Sequence, residues 1–135
     1  MSAPEAQLIA RTPDPYERIC LALGYRVGEL IFLSGHASLD DRGRFVPGDF
    51  AAQATLACRN LEKALEAAGA ALDGVVKLNA YLTDIRTQRP ILLGLIPQWF
   101  SPPYPALVTV GIHMRRHPEW LVEMDMVAVA DGRRR

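Results

Sequence analysis

Cysteine is scarce in this 135-residue chain, neither sign of charge prevails, and no apolar run approaches membrane length. The only cysteines, Cys20 and Cys58, form no C-x-x-C pair and are too few for a disulfide framework; both read as small core residues. Fifteen basic and fifteen acidic residues cancel to a formal net charge of zero. The chain therefore lacks the basic excess that draws a protein to nucleic acid or anionic lipid, and neither is expected as a partner. Every long apolar stretch is interrupted by charge or glycine, well short of the roughly 18 residues a membrane span needs. The first twenty residues contain Glu5, Asp14 and Glu17 and lack a basic segment followed by an apolar one. No signal peptide is expected, and the cytoplasm is the expected compartment. There is no internal repeat. A chain of this length suits one domain, which buries roughly two-thirds of its unfolded surface.

Hydrophobic patterning predicts a folded unit over 21–130, preceded by a flexible or loosely docked lead-in over 1–20 and followed by a solvated basic tail over 131–135. Leu23 to Val27 and Leu30 to Ser34 flank Gly28-Glu29 and read as a hairpin. Asp49 is a suitable N-cap for a helix whose Ala54, Ala57, Cys58, Leu61, Leu65 and Ala68 recur at spacings of three and four. Gly69 can take the left-handed position that ends it. Val75 to Leu82 alternates as a strand, with Val76, Leu78, Ala80 and Leu82 facing one way. A second helix is expected to start near Pro90 and to kink or end early at Pro97. After Pro102-Pro103-Tyr104-Pro105, the segments 106–112 and 121–130 read as strands joined by a basic, His-containing loop. Two helices on one face of a mixed sheet, an α+β domain, is the natural solution.

Few residues carry chemistry by pattern alone. Ser34 and His36, two apart on a strand, would share a face as nucleophile and base, or be a strand-end serine and a polar loop histidine. His113, His117 and Glu119 could bind a metal only if their segment were helical, and Pro118 opposes that. With Arg115 and Arg116 they form either an anion-binding loop or a solvated turn. Glu123 lies in an apolar strand, where a carboxylate must be paired, hydrogen-bonded or raised in pKa. Asp125 shares its face, so the two make either an acid/base pair or the wet side of the strand.

Several segments resemble the RidA family of YjgF-like enamine/imine deaminases. They are Arg26-Val27-Gly28-Glu29-Leu30-Ile31-Phe32-Leu33-Ser34-Gly35, Gly48-Asp49-Phe50 with Gln53, Asn60-Leu61-Glu62, Leu65 to Ala70, Leu72 to Lys77, Tyr81-Leu82-Thr83-Asp84 and Leu121-Val122-Glu123-Met124. The resemblance runs from about Arg26 to Ala130 with its motifs in order. It implies a chorismate-mutase-like fold, a homotrimer, clefts at subunit interfaces that take a small molecule, and no metal or organic cofactor. It also implies that a cleft arginine holds the carboxylate of a 2-imino acid while a glutamate, here Glu123, serves catalysis by positioning or activating water.

The departures bear on function. The family's Pro-Ala-Arg-Ser appears as Pro105-Ala106-Leu107-Val108, so Leu107 stands in place of the arginine. The pocket tyrosine aligns with Leu21, the helix asparagine with Leu93, and the glutamine after Ser-Gly with His36. Gly35, His36, Leu21, Leu107 and Thr109 are the expected ligand-binding positions. Losing a bidentate Arg–carboxylate contact from a desolvated pocket costs a few kcal/mol. The expectation is a modified cleft, suited to an apolar ligand with one polar end, in a protein that binds or acts on a small metabolite. The alternatives are a non-catalytic ligand-sensing or accessory trimer, and a hydrolytic imine deaminase whose cation comes from Arg26, Arg115 or Arg116.

Overall fold

The computed structural model describes residues 2–113 and 116–135. Six strands and two α-helices follow in the order β1 (Ala6–Leu8), β2 (Gly24–Val27), β3 (Leu30–Leu33), α1 (Phe50–Ala67), β4 (Val75–Leu82), α2 (Ile85–Trp99), β5 (Ala106–Gly111) and β6 (Val122–Val129). They form one mixed sheet ordered β1-β2-β3-β6-β4-β5, in which only β4 and β5 are parallel. This is the α+β architecture expected from the patterning. Both helices are crossover connections on one face: α1 packs on β3 and β6, and α2 on β4 and β5.

Local chemistry explains the elements. The Asp49 carboxylate accepts from the Ala52 amide at 2.9 Å, and Gly69, at φ +81°, follows the end of α1, so both ends of the helix are specified as expected. Its inward face buries Ala54, Ala57, Cys58, Leu61, Ala64 and Leu65 against Leu78, Ala80, Leu82, Met124 and Met126 of the sheet. The hairpin turns at Gly28, whose φ of +58° suits glycine. In β4 a register shift between Val75 and Lys77 turns Val75 inward in place of Val76. Helix α2 starts at Ile85, earlier than Pro90, because the Asp84 amide donates to the Gln88 side chain and the Gln88 amide to the Asp84 carbonyl. It ends two residues after Pro97.

The ends of the chain depart from expectation. The lead-in contributes β1, which pairs with β2, and buries Ile9 and Tyr16. Cys20 is exposed at φ +58°, outside the core, whereas Cys58 is buried and its thiol is pushed up to about 12 by burial and then by Glu62. In the tail, the Arg134 guanidinium donates to the carbonyls of Leu72, Asp73, Val75, Ser101 and Pro103 and lies 5.4 Å from the Phe100 ring centroid.

Candidate functional site

Strand β6 alternates strictly: Val122, Met124, Met126 and Ala128 are buried under the helices, while Glu123 and Asp125 point to the opposite face of the sheet. Cross-strand pairing sets Glu123 opposite Tyr81 and Asp125 opposite Asn79. The two carboxylates then differ. Asp125 accepts from Asn79 at 2.7 Å and from the Tyr81 hydroxyl at 3.1 Å, so it holds the sheet face together. Glu123 has its carboxyl pushed above the usual range by burial first and by the Asp125 charge second, with Arg116 partly offsetting both.

Gly35 presses directly on this glutamate. A Cβ at Gly35 would lie 2.7 Å from Glu123 Oε1, so no side chain fits there while the carboxylate keeps its place. The Gly35 carbonyl accepts from the hydroxyl of Tyr16, a buried side chain whose own pKa is raised by burial and by Glu123. Tyr16, Gly35, Glu123 and Arg116 thus form one cluster. The aligned tyrosine position, Leu21, is exposed; the phenol beside Gly35 comes from five residues earlier.

His36 touches the Tyr16 ring but does not share the sheet face of Glu123. Phe32 pairs with Val127 but His36 with Met124, so the β3–β6 register slips by one residue around Ser34–Gly35. That slip turns His36 to the helix side with Met124, where it is 1 % exposed and 5.0 Å from the Tyr16 ring. Neither ring nitrogen has a hydrogen-bond partner among the described residues. Burial, with the Arg11 charge second, lowers its pKa to about 4. Ser34 donates to the Ala22 carbonyl at 2.5 Å, so the two residues do not form a nucleophile–base pair.

Leu107 and Thr109 lie elsewhere. They pair with Leu78 and Ala80 on the helix-facing side of the edge strand β5. Leu107 closes a cavity of about 300 Å³ with Leu78, Leu93, Ile96, Tyr104 and Pro105, and Thr109 Oγ1 accepts from Arg89 Nε at 3.1 Å. Through the β4–β6 pairing, Leu107 is offset from Glu123 by two strands and three rungs, roughly 10 Å in each direction, and lies on the other face. One protomer therefore does not bring Leu107 and Thr109 to Gly35 and Glu123.

Of the named cations, Arg26 pairs with Glu29 at 3.8 Å and Asp131 at 3.5 Å on the helix side, away from both groups. Arg115 lies outside the described residues. Arg116 sits over Trp120 at 5.8 Å and helps line an open cavity of about 1060 Å³ with Arg11, Tyr16, Phe45, His117 and Trp120. His117 stacks on Phe45 at 4.5 Å, and its Nδ1 accepts from the Glu119 amide at 3.2 Å. Among the described residues no three His, Cys, Asp or Glu side chains are placed to share a metal ion, and no helix is long and apolar enough to cross a membrane.

Comparison with known proteins places this arrangement. The profile of a family described as Endoribonuclease L-PSP matches residues 13–130. The chain is 31% identical over 127 residues to a RutC family protein of Pyrococcus abyssi, covering 93% of this chain and 97% of that one. It is 31% identical over 88 residues to the 2-iminobutanoate/2-iminopropanoate deaminase of Dermatophagoides farinae, covering 64% and 68% of the two chains. The solved structure of RidA from the Antarctic bacterium Psychrobacter sp. PAMC 21119 superposes with a TM-score of 0.82 at 28% identity over 91% of this chain and 98% of that one. The matched profile covers nearly the whole folded unit, and the chain belongs to the RidA/YjgF family that it describes.

Proposed function

We propose that this protein is a RidA-family homotrimer whose cleft, completed between neighbouring subunits, binds or transforms a small metabolite with an apolar body. The observation that carries the reading is the cavity closed by Leu107 and Leu93, an apolar wall where the family resemblance implies an arginine and an asparagine. Two further features support it. The face of the sheet away from the helices exposes Tyr25, Leu30, Phe32, Val108 and Val110, each more than 40% accessible, an apolar surface of the kind that subunit association buries. The Gly35–Glu123 cluster and the Leu107–Thr109 wall also stand on opposite faces of one protomer, as halves of a site that a neighbouring subunit joins.

In that cleft Glu123 is the acid/base or polar anchor. In a hydrolytic reaction, water adds across the C=N bond of an imine and the adduct collapses to a carbonyl compound and ammonia. A carboxyl raised in pKa by burial can hold the proton that this exchange moves. The test generates short 2-imino acids in situ with an amino-acid oxidase and follows their hydrolysis. The wild type is expected to be two or more powers of ten slower than a RidA enzyme that carries the arginine, and Leu107→Arg to recover part of the rate. Full-rate hydrolysis by the wild type would overturn the modified-cleft reading. A monomer by light scattering at micromolar concentration would remove the trimer. A Leu107→Arg variant that folds without gaining activity would favour the ligand-sensing alternative.

A further inference from the structure

Three rungs join α2 to β5. A Cβ at Gly111 would lie 3.8 Å from Ile85 Cγ2, Arg89 Nε donates to Thr109 Oγ1 at 3.1 Å, and Leu93 meets Leu107 in the apolar cavity. Residues 85, 89 and 93 are one helical turn apart and share a face, and 111, 109 and 107 share one side of the strand. The cavity at the Leu93–Leu107 rung is thus continued, one rung along, by a guanidinium and a hydroxyl. Arg89 is exposed, and among the described residues it forms no ion pair with a carboxylate. Its Nε donates to Thr109, while its two terminal nitrogens donate to none of the described residues.

We propose that Arg89, assisted by Thr109, is the carboxylate-binding residue of this cleft and selects carboxylic acids with an aromatic or branched apolar body. The inference rests on the modified-cleft reading and supplies the cation that Leu107 does not. Thr109 lies two residues beyond Leu107, about 7 Å along the strand, so a carboxylate held by Arg89 is displaced by that distance from one held at position 107. A two- or three-carbon acid anchored there leaves the cavity between Leu93, Leu107 and Tyr104 empty. A ring or branched chain fills it and removes apolar surface from water. Arg89 and Thr109 are specificity determinants, and the guanidinium fork suits a planar carboxylate.

The experiment compares phenylacetate with its neutral isostere phenylacetamide by isothermal titration on the full-length protein. Wild type is expected to prefer the acid by at least tenfold, the range of one charge-assisted contact. Arg89→Met removes the preference, so that the acid and the amide bind within about twofold of each other through the intact apolar cavity. Should Arg89→Met fail to fold, Arg89→Lys decides: a point charge without the fork weakens phenylacetate several-fold and leaves the amide unchanged. Equal binding of acid and amide by the wild type overturns the role of Arg89 while leaving the apolar cleft standing. A preference that survives Arg89→Met, or an Arg89→Lys variant that weakens both ligands alike, overturns it too. Binding of neither ligand removes the apolar cleft, and this inference with it.

Discussion

Replacing Arg134 by alanine tests how much of this fold is held by a tail that composition alone assigns to solvent. One guanidinium joins two segments that are distant in sequence: Leu72, Asp73 and Val75 at the entry to β4, and Phe100, Ser101 and Pro103 after α2. The five hydrogen bonds do not add at full strength. Those to Asp73, Ser101 and Pro103 are exposed, and water takes over those carbonyls after truncation. The bonds to Leu72 and Val75, both 2.8 Å and partly buried, leave acceptors that water reaches less well. Two charged hydrogen bonds at about 1.5 kcal/mol each give a loss of roughly 3 kcal/mol. For a domain of this size that corresponds to a fall of about 10 °C in melting temperature. The neighbours supply internal controls, because Arg133 and Arg135 are exposed and surface substitutions typically stay within about 0.5 kcal/mol. The assay is thermal unfolding of the three alanine variants at one protein concentration, since association couples to melting. If Arg134→Ala melts within about 2 °C of Arg133→Ala and Arg135→Ala, the clamp contributes nothing and the reasoning fails.

Two further predictions concern the Glu123 cluster and its neighbour. Gly35→Ala sets a methyl group 2.7 Å from Glu123 Oε1, so the flexible carboxylate swings aside; stability falls by less than about 1 kcal/mol, while any Glu123-dependent turnover drops by roughly 100-fold. Unchanged ligand response and an unchanged Glu123 titration by carbon NMR would contradict this. His36, with a folded pKa near 4 against an unfolded value of about 6.5, binds its proton more readily in the unfolded chain. Stability is therefore lost as pH falls from about 6.5 towards 4, by about 3 kcal/mol over the interval. The raised carboxyl of Glu123 acts in the opposite sense, since its contribution is lost as pH rises through the folded value. The measurement is accordingly a difference: urea unfolding of His36→Met against wild type at pH 7 and pH 4.5, with the variant gaining relative stability at the lower pH. Parallel pH profiles would show that His36 is not the group responsible.

Helix α1 and strand β4 were legible because their periods are clear, reinforced by Asp49 and Gly69 at the ends of the helix and carried in the strand by the alternation from Leu78 to Leu82, which breaks only at the Val75–Lys77 shift. Strand β1 has no such pattern: its three residues are all exposed and its existence depends on pairing with β2. Arg134 is found only once the fold brings residues 72–75 and 100–103 together beside the tail. His36 was misplaced because alternation assumes a regular strand, and the one-residue slip at Ser34–Gly35 inverts every face beyond it. Tyr16 was missed because an ungapped reading back from Ser34-Gly35 lands on Leu21, whereas the chain between them bulges through a short 3-10 turn at Glu17–Ile19. Arg89 escaped notice because only the fold sets it beside Thr109.

The residues that specify the fold and those that line the two halves of the candidate cleft are almost disjoint sets. Leu61, Leu65, Leu82, Met124 and Met126 are sealed between helices and sheet, and changing any of them carries the cost of a core cavity. Leu93 and Arg89 are exposed, and Leu107 and Thr109 are only partly buried. Exchanging such side chains alters the polarity of a groove without leaving a void in the interior. A chain can therefore keep this architecture while its cleft passes from a cationic to an apolar lining. That is the physical reason why family membership, secure for the fold, places little constraint on the ligand. Gly35 is the exception, because its backbone both packs on Glu123 and accepts the Tyr16 hydroxyl. The Glu123 half of the site is thereby tied to the sheet itself, and the half that can change is the groove between α2 and β5.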